Sequence, residues 1–193
     1  MLENGPLVGW STIPDSPEIL ETIEKNKKSS VKWTWVMALL FPAGFLLAGL
    51  LSDEMPLNES LIIGASLGLL MLAIGLWRMR DTKRPVWEGV VTEKLEKKRY
   101  KTDRDDGTTE SYLEYIVLIR TADGKKRRIV ERQRDLSMYG YLAVGDRVRY
   151  HPALETYEKY DKSKDKVIYC NVCRARNSIE NDRCDRCKNL LFK

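Results

Sequence analysis

The residues with the clearest chemistry lie near the C-terminus. Cys170-Asn-Val-Cys173 and Cys184-Asp-Arg-Cys187 are two CxxC knuckles separated by ten residues. Such knuckles can set four thiolates at the corners of a tetrahedron, about 2.3 Å from one Zn²⁺. Two-residue spacing lets each pair chelate from a tight turn, and ten residues suffice for a short hairpin to bring the pairs together. A segment this short cannot bury a core, so metal binding would supply its folding energy, on the order of 10–16 kcal/mol in small zinc modules. Four thiolates leave no position for water, which closes the site to hydrolytic chemistry and makes the zinc structural. A redox CxxC would need only one pair and a βαβ setting, which this chain lacks. All four cysteines fall in the last 24 residues. Close pairs of this kind indicate metal binding rather than a disulfide framework, so this end is expected in a reducing compartment, the cytosol.

Elsewhere the chain is poor in catalytic groups, and no enzymatic activity is expected. His151 is the only histidine, and its place before Pro152 at a strand end suits a structural or exposed role. The carboxylates are scattered through charge runs, and no P-loop, GxGxxG, GxSxG or HExxH occurs. Lys125, Lys126, Arg127, Arg128, Arg132 and Arg134 are candidate contacts for an anionic ligand. With Tyr139 and Tyr141 as stacking platforms they could meet nucleic acid. That reading is not favoured, because a basic run on a strand also serves as a solvated or lipid-facing surface.

The elements that position these groups begin at a membrane. Trp33–Ser52 and Ser60–Trp77 contain no Asp, Glu, Lys, Arg or His. About 20 helical residues cross roughly 30 Å of hydrocarbon, and a charge at mid-bilayer costs about 2.5–3.5 kcal/mol. Two transmembrane helices joined by the loop Asp53–Glu59 are therefore expected. Lys25, Lys27, Lys28 and Lys32 precede the first span, and Arg78, Arg80, Lys83 and Arg84 follow the second, while the loop is acidic. The positive-inside rule then places both termini in the cytoplasm, in agreement with the cysteines. Arg78, Arg80, Lys83 and Arg84 become membrane-surface contacts, and Trp33, Trp35 and Trp77 sit at headgroup level. Gly44 with Ala48, and Gly64 with Gly68, have the spacing that lets helices approach closely. They pack the hairpin on itself or, alternatively, form a face for a second copy or subunit. The uncharged spans argue against an ion path or transporter site.

Charge divides the chain as well. Residues 1–77 carry net −4 and residues 78–193 net +9, and all nine tyrosines lie in the second part. Residues 1–32 are read as a cytosolic segment, irregular to Pro14, with a short amphipathic helix from Asp15-Ser16-Pro17-Glu18 to about Ser29-Ser30. Residues 33–77 are the hairpin. From Val86 the apolar period changes to that of strands. Val86–Leu95 is expected as a strand with a bulge near Gly89, and Lys97–Thr109 as a charged turn region containing Asp105-Asp106-Gly107. Tyr112–Thr121 is apolar on both faces and so central. Asp123-Gly124 is a hairpin turn, Lys125–Arg132 the returning strand and Asp135–Leu142 a helical turn. Arg147–His151 and Thr156–Tyr160 are the last strands, and Lys159–Lys166 is a charged linker.

Five short strands with a helical turn before "GDRVRY" imply a small all-β barrel over 86–160. With Gly89-Val90-Val91, Asp123-Gly124 and Gly145-Asp146-Arg147-Val148, this part resembles the OB-like or SH3-like domains, including the NfeD type, that follow transmembrane helices in small prokaryotic membrane proteins. Residues 168–193 resemble the zinc ribbons at the ends of such proteins, matching at the four cysteines, Asn177 and Leu190. They depart where those ribbons carry Gly after each CxxC and this chain has Arg174 and Lys188, so backbone strain is expected there. The resemblance implies a multi-domain membrane protein acting as a membrane-anchored cytosolic adaptor. Its expected partners are the lipid bilayer and a protein partner or second copy. A membrane-tethered nucleic-acid binder and an accessory subunit of a larger membrane complex are the alternatives.

Overall fold

The computed structural model describes residues 7–51, 56–102, 107–132 and 137–193. The chain forms two compact units, one of Pro17–Arg84 and the other joining the N-terminal segment before Pro17 to Pro85–Lys193.

In the first unit, α1 (Pro17–Leu51) and α2 (Leu57–Asp81) lie side by side. Both are long and apolar enough to cross a membrane, and only 6% and 17% of their most apolar windows are buried. That excludes the core of this unit as the home of those side chains. The separate amphipathic helix expected to end near Ser29-Ser30 is instead continuous with the first span. No breaker follows Ser30, whose carbonyl accepts the Thr34 hydroxyl at 2.9 Å, a bond made without leaving the helix. The helix also runs through Pro42.

Gly64 and Gly68 form the hairpin's own seam. A Cβ on Gly64 would sit 2.9 Å from Phe45 Cβ, and one on Gly68 would sit 2.7 Å from the Ala38 carbonyl. Gly44, by contrast, has open space around it, and Gly44 and Ala48 are exposed. Gly75 packs on Thr34, which brings exposed Trp33, Trp35 and Trp77 to the same end of the hairpin. Ser52, Asp53 and Glu54, part of the expected span end and acidic loop, lie outside the described residues.

The second unit is built on one antiparallel sheet. Its elements are β1 (Trp87–Thr102), β2 (Thr109–Thr121), β3 (Lys126–Arg132), α3 (Ser137–Tyr141), β4 (Arg147–His151) and β5 (Thr156–Lys159). The order is β3-β2-β1-β4-β5. Val91, Val117, Ile119, Leu142 and Val148 close the core on the inner face, with Trp87, Ile129 and Tyr157 packed around them. The expected barrel is thus a five-stranded sheet whose edges are β3 and β5. A cleft of about 520 Å³ lies between those edges, lined in part by Val130, Met138, Tyr157 and Asn171.

Two strands are longer than expected. β1 continues through Lys97–Thr102, where the charge run suggested a turn region, because each residue there finds a partner on β2 from Lys97↔Glu114 to Thr102↔Thr109. Cross-strand pairs such as Arg99–Glu114 at 3.1 Å suit exposed charges as well as apolar ones. The register shift falls between Val91 and Glu93, after Gly89 rather than at it. Gly89 is needed for another reason, since a Cβ there would lie 2.7 Å from the Arg120 carbonyl. Gly124, at φ +79, makes the turn into β3. Glu131 accepts the backbone N–H groups of Met138 and Tyr139 at 2.9 and 2.8 Å and so caps α3. Asp105, Asp106 and Asp135 lie outside the described residues.

The N-terminal segment extends the sheet beyond β5. Gly9 N–H donates to the Tyr160 carbonyl at 2.9 Å, and Lys162 N–H donates to the Leu7 carbonyl at 2.7 Å. Trp10 packs edge-on to Tyr160, and the Arg149 guanidinium lies 4.3 Å from the Trp10 ring centre. Residues 7–16 are therefore a docked strap with a 3₁₀ turn at Ile13–Asp15, not an irregular lead-in. The reading of Lys159–Lys166 as a charged linker is likewise corrected, because Lys159 and Lys162 are buried in ion pairs with Asp146, Asp165 and Glu158.

Candidate metal centre

The first knuckle lies at the turn of a small hairpin, β6 (Val167–Tyr169) and β7 (Arg176–Ser178), with Ile168 opposite Asn177, and the second lies between the bridged residues Arg183 and Leu190. Each knuckle uses the same local geometry. Arg174 N–H donates to the Cys170 carbonyl, and Lys188 N–H donates to the Cys184 carbonyl, both at 2.9 Å. Cys170 N–H then donates to Ala175 O and Cys184 N–H to Asn189 O, again at 2.9 Å. This fold-back forces a left-handed residue after each CxxC, and Arg174 and Lys188 adopt φ of 61° and 64°. The strain expected where Gly is replaced is thus present, at a cost of about 1–2 kcal/mol per residue.

The two turns bring all four Sγ atoms within 4.8 Å of one another. Cys170–Cys187 and Cys173–Cys184 are 3.6 and 3.5 Å apart. A tetrahedron with 2.3 Å arms has edges of about 3.8 Å. A disulfide would be about 2.05 Å long, and all four cysteines are free thiols. The donor set therefore fits a metal ion. Three more groups face the sulfurs. Val172 N–H points at Cys170 Sγ at 3.4 Å, Asn177 Nδ2 at Cys184 Sγ at 3.6 Å and Asn189 Nδ2 at Cys187 Sγ at 3.5 Å. Asn177 also accepts the Asp185 N–H at 2.8 Å, which ties the first knuckle to the second.

Without a metal, the sulfurs differ in acidity. Burial pushes the Cys170 thiol well above its ordinary value. Burial also raises Cys173. It opposes ionisation of Cys184 too, but the backbone N–H groups of Cys187 and Arg186, with Cys173 and Asn177, outweigh it and bring that thiol down to about 6. Hydrogen bonds to sulfur favour the charged form, which is the form a metal takes.

This ribbon is seated on the sheet within the same unit. Asn171 donates to Thr156 Oγ1 at 3.2 Å and to the Tyr157 carbonyl at 3.1 Å. Arg174 donates to the Glu155 carbonyl at 3.2 Å, and Tyr169 meets Tyr141 edge-on. Phe192 is fully buried, with its ring edge-on to His151.

His151 belongs to a cluster that sequence reasoning missed. Its Nε2 lies 2.8 Å from Glu158, whose other oxygen accepts the Ser11 N–H at 2.7 Å and the Lys162 ammonium at 3.3 Å. Glu158 and Lys162 are each 1% exposed. Burial lowers the Lys162 pKa, opposed by the charge of Glu158. The only local signal was the four-residue spacing of Glu158 and Lys162, which in a charged stretch resembles any solvated pair. Ser11 is 147 residues from Glu158 and carried no signal.

The basic candidates do not form one patch. Strand alternation sends Lys126, Arg128 and Arg132 to the outer face and Arg127 inward, over the Trp87 ring at 5.8 Å. Lys125 pairs with Asp123 at 2.7 Å in the turn. Arg132 covers the Tyr112 ring at 5.1 Å, and Arg134 lies outside the described residues. Tyr139 is engaged by Tyr115 and Lys94, and Tyr141 by Tyr169. Arg78 and Arg80 occupy the last turn of α2, with Lys83 and Arg84 just beyond, where Arg84 pairs with Asp81 at 2.7 Å.

Residues 82–155 match the family model described as Domain of unknown function (DUF7489). The match covers β1 to β4 and ends before the cysteines. No curated protein and no solved structure matches this chain.

Proposed function

We propose that the protein is a non-catalytic interaction or adaptor module, anchored in the cell membrane by α1 and α2 with both termini in the cytoplasm. Its cytosolic part is an OB-like sheet stiffened by a structural zinc ribbon. Cys170, Cys173, Cys184 and Cys187 would hold the zinc, which supplies folding energy and no open coordination position. The observation that carries this reading is where the apolar surface lies. Trp33, Leu39, Leu51, Leu69 and Trp77 are exposed on the hairpin, while the sheet closes Val91, Val117, Ile119, Leu142 and Val148 in a core of its own and leaves only scattered apolar side chains exposed. Large exposed apolar surfaces need a covering, and two helices of this length suit a bilayer. The OB-like reading is supported by α3 between β3 and β4 and by the pairing of β1 with both β2 and β4.

The test is purification of the intact protein from native membranes. Retention in the membrane pellet through an alkaline wash, one zinc per chain and a stoichiometric co-purifying protein would support the module. Partition into the soluble fraction would overturn the anchor. Oxidised cysteines reached by an impermeant reagent from outside would overturn the topology.

A further inference from the structure

The outer face of the sheet carries a cationic cluster that its own ladder does not neutralise. The β2–β3 register sets Arg120 directly opposite Lys126, with Arg128 two residues further along β3 on the same face. All three are exposed. Among the described residues none of them has an acidic partner within ion-pair distance. By register, the carboxylate across from them is Glu93, opposite Leu118 on the far side of β2. Several other cations on this face do have acidic partners. Arg99 pairs with Glu114 at 3.1 Å, and Arg149 and Arg147 pair with Glu88 at 2.6 and 3.6 Å. Like charges directly opposite each other on neighbouring strands destabilise the pair, so the unmatched cluster is a cost that the fold itself does not recover. An anion spread over the face would recover it.

Two further observations choose the anion. Val90 and Val130, 40% and 45% exposed, flank the cations, so the face mixes charge with apolar side chains, as headgroup-level surfaces do. Only five residues, Thr82–Val86, join α2 to β1, so the tether between them is short. A leaflet entered by α2 is therefore always within reach at high effective concentration. Nucleic acid fits less well, because Tyr112, Tyr139 and Tyr141 already have their rings engaged and stacking platforms are what single strands require. We infer that Arg120, Lys126 and Arg128 on the outer sheet face bind the headgroups of anionic phospholipids. This rests on reading α1 and α2 as membrane spans.

The experiment uses the full chain in nanodiscs, either of phosphatidylcholine alone or with phosphatidylglycerol added. The readout is the rate of lysine acetylation at Lys126, with exposed Lys164 as the internal reference. Anionic discs should slow Lys126 about fivefold, the preference that one cation gains near an anionic leaflet, and leave Lys164 unchanged. High salt should remove the protection. So should the double variant Arg120→Glu/Arg128→Glu or, if that folds poorly, Arg120→Gln/Arg128→Gln, with slow hydrogen exchange in the β2 core around Val117 as the check on folding. Equal Lys126 rates in the two kinds of disc would overturn the inference. Protection by an added oligonucleotide but not by phosphatidylglycerol would overturn it in favour of nucleic acid. Failure of the chain to enter discs at all would instead sink the membrane reading beneath it.

Discussion

In the sheet, Val91, Val117, Ile119 and Val148 come from three strands and Leu142 from the turn after α3, and they bury one another. In the ribbon, Ile168 and Leu191 are the buried aliphatic side chains of the cluster, Cys170 and Cys184 are the others buried there, and Val172, Ala175 and Ile179 are only partly covered. The ribbon is too short to enclose apolar volume, so it gathers sulfur donors where the sheet gathers hydrocarbon. Ordering about 20 residues costs more than these few apolar side chains return, at about 1–2 kcal/mol of backbone entropy per residue against about 1.5–3 kcal/mol per fully buried side chain. One half of the unit should thus depend on solvent conditions and the other on metal supply.

The largest test of that contrast is metal removal. Chelation, or Cys184→Ser, should release the ribbon, with a loss on the order of 10–16 kcal/mol of metal-linked folding energy. Hydrogen exchange should rise across 167–193 and stay low at the core positions Val91, Val117 and Ile119 of β1 and β2. Loss of protection in both regions together would mean that the ribbon is part of the sheet's own cooperative unit. The second test strikes the contacts that couple the two halves and the strap. Glu158→Ala leaves Lys162 buried without its partner, which should cost about 3–5 kcal/mol. Early proteolysis within residues 7–16 would report release of the strap, while Glu158→Gln should retain part of the docking. The third is confined to hydrocarbon. Leu142→Ala should destabilise the sheet by about 2–5 kcal/mol and leave the metal content of the folded protein unchanged.

The smallest effect concerns acid. Asp123, hydrogen-bonded by Lys125 and Thr121 at the β2–β3 turn, has its pKa lowered to about 2. A carboxylate whose pKa is depressed in the folded state contributes stability that is complete above its ordinary value near 3.8 and is lost as pH falls through about 2. An NMR titration of the Asp123 carboxyl should find its midpoint near the lower value. Asp123→Asn should remove the acid dependence of exchange at this turn without touching the ribbon.

How much of this was legible follows from the range of each interaction. The two CxxC knuckles and the uncharged stretches were visible because their physics is local. Two residues between sulfurs determine a chelating turn, and 18–20 residues without charge determine a helix apolar enough to cross a membrane. The strain at left-handed Arg174 and Lys188 was legible through the resemblance to zinc ribbons, which carry Gly at those two places. The extension of β1 through Lys97–Thr102 was hidden because its charge run matches a loop in composition, and only the opposing strand supplied partners. The continuity of α1 was hidden because Ser29-Ser30 resembles an end signal while nothing after it breaks the helix.

The chain alone determined which two helices are long and apolar enough to cross a membrane and which four side chains can close around a metal. Both depend on neighbours a few residues apart. Tertiary structure alone decided that Arg127 turns inward while Lys126 faces Arg120, that Ser11 reaches Glu158, and that His151 is buried against Phe192. Those outcomes depend on strand register and on contacts between distant parts of the chain, and neither is encoded within any short window of residues.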